Sequence, residues 1–97
     1  MKLPKKIKIG GFIYKIVVLD NLVRVTGSEE ADGLITPNRS IIHIVKKESE
    51  QFMGQAFLHE VMHGIDMAYN GDVLDEPTIE RISQGLYQVL KDNKLDF

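Results

Sequence analysis

Residues 49–69, SEQFMGQAFLHEVMHGIDMAY, predict the longest helix of this 97-residue chain. Ser49 belongs to the residue types that cap a helix N-terminus, and Asn70 and Gly71 are typical of residues that end one. Apolar residues recur through the stretch at helical spacing and predict the face that packs on the core. That stripe consists of Leu58, Val61, Ile65 and Ala68.

The second half of this helix contains His59-Glu60-Val61-Met62-His63, an HExxH pattern. Residues four apart on a helix project from the same face, about one turn from each other. Two imidazoles at that spacing can bind one Zn²⁺ at roughly 2.0–2.1 Å each. Glu60 beside them can take a proton from a metal-activated water as general base. The chain has no cysteine, so any metal must be held by histidines and carboxylates, a ligand set that favours zinc.

The residues before this helix predict a small sheet. Alternating and β-branched residues over 6–19, with glycines at the turn, are typical of a β-hairpin. Residues 22–26 fit either a short strand or a helical turn. Residues 33–36 and 41–45 predict two more strands, joined by a hairpin across 37–40. The sheet is therefore expected to be N-terminal, and antiparallel or mixed.

A second helix is predicted from about Asp75 to Asn93, with Pro77 in its first turn, where a missing N–H costs nothing. A small sheet followed by two packed helices defines an α+β fold class. The length and a hydrophobic content of 43% suit a single domain over residues 1–97. The buried face of the second helix is expected to contain Ile79, Ile82, Leu86, Val89 and Leu90.

A catalytic zinc site needs a third protein ligand. Tyr69 stands six residues after His63, where the metzincin pattern has its third histidine, which argues against that class. A carboxylate from the following helix is the other common arrangement, and Glu80 is the preferred candidate. Glu76 is its main competitor, although a carboxylate in a first helical turn is favoured by the helix dipole without any metal. Asp66 is a further alternative, as a ligand, as an acceptor for a histidine ring N–H or as a plain surface charge of the helix. A site without a third protein ligand is the last alternative.

The HExxH stretch followed by Glu80-Arg81-Ile82-Ser83 resembles the gluzincin pattern of HExxH and then ExxA or ExxS on the next helix. More narrowly, residues 33–93 resemble the small ImmA/IrrE-like metallopeptidases of bacteria, phages and integrative elements. The resemblance implies a minimal zincin-like domain in which His59, His63 and Glu80 bind zinc and Glu60 is the general base. It implies a zinc-dependent endopeptidase acting on a protein or peptide substrate. Because relatives in that family cleave repressors, a repressor is one candidate substrate.

The peptidase hypothesis also requires places for the substrate and for a second oxyanion donor. The strand Ile41 to Val45 could be an exposed edge against which an extended peptide pairs. His43, Tyr69 and Tyr87 are candidate donors besides zinc. Two of them have a simpler interpretation, His43 as an ordinary strand residue and Tyr87 as a tyrosine at the edge of the core with its hydroxyl in water.

Two other hypotheses remain open from the sequence. A non-catalytic regulatory or binding protein of phage or mobile-element origin could use zinc for stability, because a metal joining two helices strengthens a small domain. Glu60 argues against this hypothesis, since a structural site needs no base. In the third hypothesis there is no metal, and His59 and His63 are ordinary residues at the core edge.

Charge and hydropathy limit the partners. A net charge of −2 and an isoelectric point near 5.9 argue against a direct nucleic-acid-binding surface, which is normally basic. The lysines of residues 2–8 are interpreted as a solvated strand edge. The N-terminus lacks a long apolar stretch and no membrane span is predicted, so the cytoplasm of the bacterial or host cell is the expected location. The sequence does not indicate an oligomeric state.

Overall fold

The first two strands form the predicted hairpin in the computed structural model, which describes residues 2–28 and 30–95. Strand β1 (Lys6–Ile9) pairs antiparallel with β2 (Phe12–Leu19). Gly10 turns the chain with a φ of 61°, a left-handed conformation that glycine adopts without a steric penalty. Beyond β2, the ambiguous segment forms a short helix, α1 (Val23–Thr26).

The remaining strands complete a mixed sheet. Strand β3 (Gly33–Thr36) pairs antiparallel with β4 (Ile41–Val45) across a 3₁₀ turn at Pro37–Arg39, as the sequence predicted. β4 also pairs parallel with β2, so the strand order is β1-β2-β4-β3. The expectation that β4 is an exposed edge is therefore wrong. β4 lies inside the sheet, and β1 and β3 are its two edge strands.

The helix α2 (Glu50–Tyr69) packs on one face of this sheet. The Ser49 side chain accepts a hydrogen bond from the Phe52 N–H at 3.3 Å, which confirms the predicted N-cap. Phe57, Leu58 and Val61 of α2 are buried in the same core cluster as strand residues of β4. The chain after Tyr69 turns through Asn70 and Gly71, as expected.

The C-terminal half of the predicted core stripe on α2 is wrong. Ile65 is 41% exposed and Ala68 is also exposed. The buried face passes through Gly64 instead, where a Cβ would lie 2.9 Å from Ile9 Cδ1 and 3.0 Å from Ile35 Cδ1. The absence of a side chain at Gly64 lets the helix approach the sheet closely, which leaves Ile65 on the flank of the contact.

The helix α3 (Glu76–Asp92) packs against α2, and Asp75 caps it by accepting a hydrogen bond from the Thr78 N–H at 2.9 Å. Its buried residues are Ile79, Ser83 and Tyr87. Ile82 and Val89 are each 46% exposed, so the predicted buried face is wrong at these two positions. The face of α3 toward α2 carries Ile79, Ser83 and Tyr87, which are spaced four residues apart. Ile82 and Val89 lie off this face and therefore point outward.

The α+β prediction of a small N-terminal sheet followed by two packed helices is confirmed. Within residues 2–28 and 30–95, no helix combines the length and the apolar character needed to cross a membrane.

Candidate metal centre

The two histidines of α2 project together toward α3. Their Nε2 atoms lie 3.2 Å apart, as the four-residue spacing predicted. The side chains of His59 and His63 are 17% and 19% exposed, so they lie at the floor of an opening and not in the core. Both rings therefore direct a nitrogen to one point that solvent can reach.

Glu76 supplies the third group at that point. Its carboxylate oxygens lie 2.9 Å from the Nε2 of His59 and 2.8 Å from the Nε2 of His63. Donor atoms of a tetrahedral zinc site with bonds of about 2.0–2.1 Å lie roughly 3.3 Å apart. The three separations found here come within about half an ångström of that value. His59, His63 and Glu76 could therefore hold a metal ion.

Proton counting also favours a cation at this point. A carboxylate can only accept hydrogen bonds, so each contact to Glu76 needs a proton on the facing Nε2. If the Nε2 atoms of His59 and His63 both carry such a proton, the 3.2 Å contact between these two atoms joins two donors and is repulsive. A single cation in place of the two protons satisfies all three contacts, so the donor set fits a bound metal.

Glu80, which the sequence predicts as the zinc ligand, occupies a different position. One of its oxygens lies 2.7 Å from His59 Nδ1, on the far side of the ring from Nε2. Its other oxygen accepts a hydrogen bond from Gln84 Nε2 at 2.7 Å. One helical turn is about 5.4 Å, so Glu76 and Glu80 on one face of α3 reach different sides of the same imidazole. The structure thus brings Glu76 to the donor position and Glu80 to the position from which a carboxylate orients a metal-binding histidine.

Glu60 lies behind the histidines with only 7% of its surface exposed. Burial raises the pKa of its carboxyl above the ordinary value, and the nearby charge of Glu76 adds to that rise. The charges of His59 and His63 and a hydrogen bond from the Ile35 backbone lower it, without cancelling the effect of burial. A carboxylate with a raised pKa holds a transferred proton better, which suits a general base.

The site opens into a cleft of about 540 Å³. β3 forms one side of this cleft, and α2 and α3 form the other sides. Gly33 is a functional candidate that the sequence reasoning missed. A Cβ there would lie 3.1 Å from Glu60 Cγ and 3.3 Å from Glu60 Oε2, so a residue larger than glycine would displace the Glu60 side chain. An isolated glycine at a strand end was the available signal.

None of the three proposed oxyanion donors lines this cleft. His43 is 8% exposed and stands between Ile42 and Ile44, which face α2, so strand alternation directs its ring to the opposite side of the sheet. Tyr69 is 74% exposed outside the cleft, and Tyr87 is 6% exposed within the core cluster. Tyr87 is thus a core tyrosine, buried more deeply than the position at the edge of the core that its simpler interpretation gave it.

Asp66 is neither at the donor position nor in contact with a histidine ring. It is 1% exposed and accepts hydrogen bonds from residues of the connection between α2 and α3. Burial by itself raises the pKa of Asp66, but hydrogen bonds from Asn70, Leu74 and Val73 and the charge of His63 outweigh it and hold the pKa below its usual value.

Comparisons with protein-family models, with curated proteins and with solved structures found no match for this chain. The class of site is therefore defined by its geometry alone. It is a candidate two-histidine, one-carboxylate metal centre beside a buried glutamate, in an α+β domain.

Proposed function

We propose that this chain is a zinc-dependent endopeptidase of the ImmA/IrrE-like, zincin type. The observation that supports it most is the convergence of His59, His63 and Glu76 at 2.8–3.2 Å beside the buried carboxyl of Glu60. Imidazole and carboxylate donors suit zinc. In this proposal Glu76 replaces Glu80 as the third ligand, and Glu80 orients His59 through its Nδ1 atom.

When bound, zinc lowers the pKa of a coordinated water toward about 7 and polarises a carbonyl oxygen. Glu60 takes a proton from the attacking water and delivers it to the departing amine. Gly33 preserves the space that the carboxylate needs for both transfers.

The open edge of β3 offers a place for the substrate backbone. The Asp32 carbonyl accepts a hydrogen bond from the Val45 N–H, so alternation directs the backbone polar groups of Gly33 and Ile35 away from β4. On that side the Ile35 N–H donates to Glu60, so the groups offered to a substrate are the Gly33 N–H and the carbonyls of both residues. An extended peptide can add to such an edge as a further strand. This arrangement replaces β4 by β3 as the strand that binds substrate. The substrate class is then an extended protein segment, and a repressor is one candidate.

An apolar side chain at the cleft wall would favour substrates that carry an apolar residue. Phe52 is 64% exposed and lies on the same face of α2 as Ala56 and His59. Seven residues of helix separate Phe52 from His59, about 10 Å along the axis. Phe52 therefore offers an apolar contact to a substrate side chain some distance from the cleaved bond.

Cleavage of a proteome-derived peptide library by the zinc-loaded protein, followed by mass spectrometry, tests the proposal. Wild type should produce new termini that disappear when a chelator removes the metal. Glu60→Gln should retain zinc and lose cleavage by at least a hundredfold, because the amide cannot accept the proton. Metal-dependent cleavage by Glu60→Gln at the wild-type rate would show the mechanism to be wrong.

A zinc-stabilised binding protein is the alternative, favoured by one observation. Ligands from α2 and α3 would let the metal tie the two helices together. Against it, a structural zinc site is normally closed by four protein ligands, whereas this group has three and opens into a cleft. Zinc binding without cleavage of any peptide in the library would favour this alternative.

A further inference from the structure

The connection between α2 and α3 is organised around one buried side chain. The Asp66 carboxylate accepts hydrogen bonds from Asn70 Nδ2 at 3.0 Å, from the Val73 N–H at 3.2 Å and from the Leu74 N–H at 3.0 Å. Both carboxylate oxygens are used, and only 1% of the residue is exposed. Asp66 therefore binds the connection from within and is not a surface charge of the helix.

The backbone of Asp66 holds the same segment. Its carbonyl oxygen accepts the Asn70 N–H at 2.9 Å and the Asp72 N–H at 3.0 Å. Gly71 and Asp72 have left-handed φ angles of 76° and 57°, so the chain reverses tightly at this point. One residue thus receives five hydrogen bonds from residues 70–74.

This segment leads directly to the third donor of the metal centre. Leu74, the last residue bound by Asp66, is followed by the α3 cap Asp75 and then by Glu76. The Glu76 side chain is 69% exposed, so packing holds it little and the backbone of the first turn must direct it. Asp66 belongs to α2, three residues after His63. It therefore ties the start of α3 to the helix that bears both histidines.

We propose that Asp66 is a positioning residue of the metal centre, which clamps the α2–α3 connection so that Glu76 reaches the Nε2 atoms of His59 and His63. The inference rests on the proposed centre, in which Glu76 is a ligand. It assigns to Asp66 an influence on metal affinity without contact to the metal.

The test is zinc affinity, measured by competition with a chromophoric chelator, for wild type, Asp66→Asn, Glu76→Gln and the double variant. The amide of Asp66→Asn keeps the size but cannot accept from both Val73 and Leu74. Residues that orient ligands typically change metal affinity by about 10–100-fold, and the lower end is expected here. If Asp66 acts through Glu76, the double variant should bind zinc no more weakly than Glu76→Gln alone.

A purely structural role would give a different result. Phe57→Leu, a core variant distant from the connection, is the control and should lower the stability of the metal-free protein with zinc affinity unchanged. Unchanged affinity in Asp66→Asn, or a loss that adds fully to that of Glu76→Gln, would overturn the inference. If Asp66→Asn does not fold, Asn70→Ala removes one contact and should show the same coupling on a smaller scale.

The outcome is separable from that of the proposed function, because no substrate is used. Failure to cleave any peptide, with the predicted coupling present, would reject the peptidase and keep the clamp. Failure of wild type to bind zinc would overturn both the metal centre and the clamp.

Discussion

The two helices contribute to the site in different ways. On α2, His59 and His63 contribute in the same way, since both direct Nε2 to one point. The two Nε2 atoms lie 3.2 Å apart. On α3, Glu76 and Glu80 have the same four-residue spacing, yet one contacts both Nε2 atoms and the other contacts Nδ1 of His59. Spacing within a helix determines which side chains share a face. Which of them meets a partner on another helix depends on how the two helices are placed.

The largest effect should come from the α2 half of the site. His63→Ala should reduce bound zinc from about one ion per chain to near zero, because two donors rarely hold the metal at micromolar concentration. Mass spectrometry of the metal content measures this. His43→Gln is the matched control, since His43 lies on the other face of the sheet, and it should retain zinc. Equal loss in both variants would show that folding and not ligation was tested.

On α3, substitutions of the two glutamates should lower zinc affinity to different extents. Glu76→Gln should weaken zinc binding by more than about a hundredfold, as removal of a ligand, and Glu80→Gln by about tenfold, as removal of an orienting carboxylate. Chelator competition on the two variants side by side gives the order. The reverse order would restore Glu80 as the ligand, as the sequence alone predicts.

Gly33→Ala should act on the base and leave the metal in place. The new Cβ would lie 3.1 Å from Glu60 Cγ, so the carboxylate must shift. Because small displacements of a catalytic group are costly, kcat/KM on a peptide found in the library should fall by about tenfold or more. Zinc affinity should stay within about twofold of wild type. The control is Gly85→Ala on α3, which has no atom within 4 Å of its added Cβ and should leave activity unchanged.

The smallest effect is the pH dependence of the metal-free protein. The folded-state pKa of Asp66 is lowered from 3.8, so its ionised form contributes stability that is fully present above the unfolded value. That contribution is lost as the pH falls from about 3.8 through the folded-state pKa. Denaturant unfolding across this range should show a steeper acid loss in wild type than in Asp66→Asn. Parallel profiles would show that folding does not lower the pKa of Asp66.

Local patterns predicted a large part of the architecture. Alternation and turn residues predicted the hairpin and the strand pair, and capping residues located both long helices to within about one residue at their starts. The order of the strands was not predictable in this way. Strand pairing between β2 and β4 joins segments far apart in the chain, so no local pattern indicates that β4 lies inside the sheet and β3 at its edge.

The burial of particular side chains shows the same limit. Ile65, Ile82 and Val89 follow the helical period that predicts a buried face, yet each is more than two-fifths exposed. The period predicts that a face exists, but its direction is set by the elements packed against it. Small residues such as Gly64 and Ser83 lie at the contacts because they permit close approach, and a hydrophobicity pattern assigns them no weight.

The sequence by itself determined that His59, Glu60 and His63 lie on one helix. It also determined that the two histidines share a face, because a helix converts a four-residue spacing into a common face. It also determined that carboxylates on the next helix lie near enough to compete for the third position. Only the tertiary structure brought Glu76 to the Nε2 atoms of the two histidines and Glu80 to Nδ1 of His59, brought Gly33 to Glu60, and buried Asp66 beneath the connection. Those outcomes depend on distances between elements, and such distances follow from the packing of the whole chain and not from any short stretch of it.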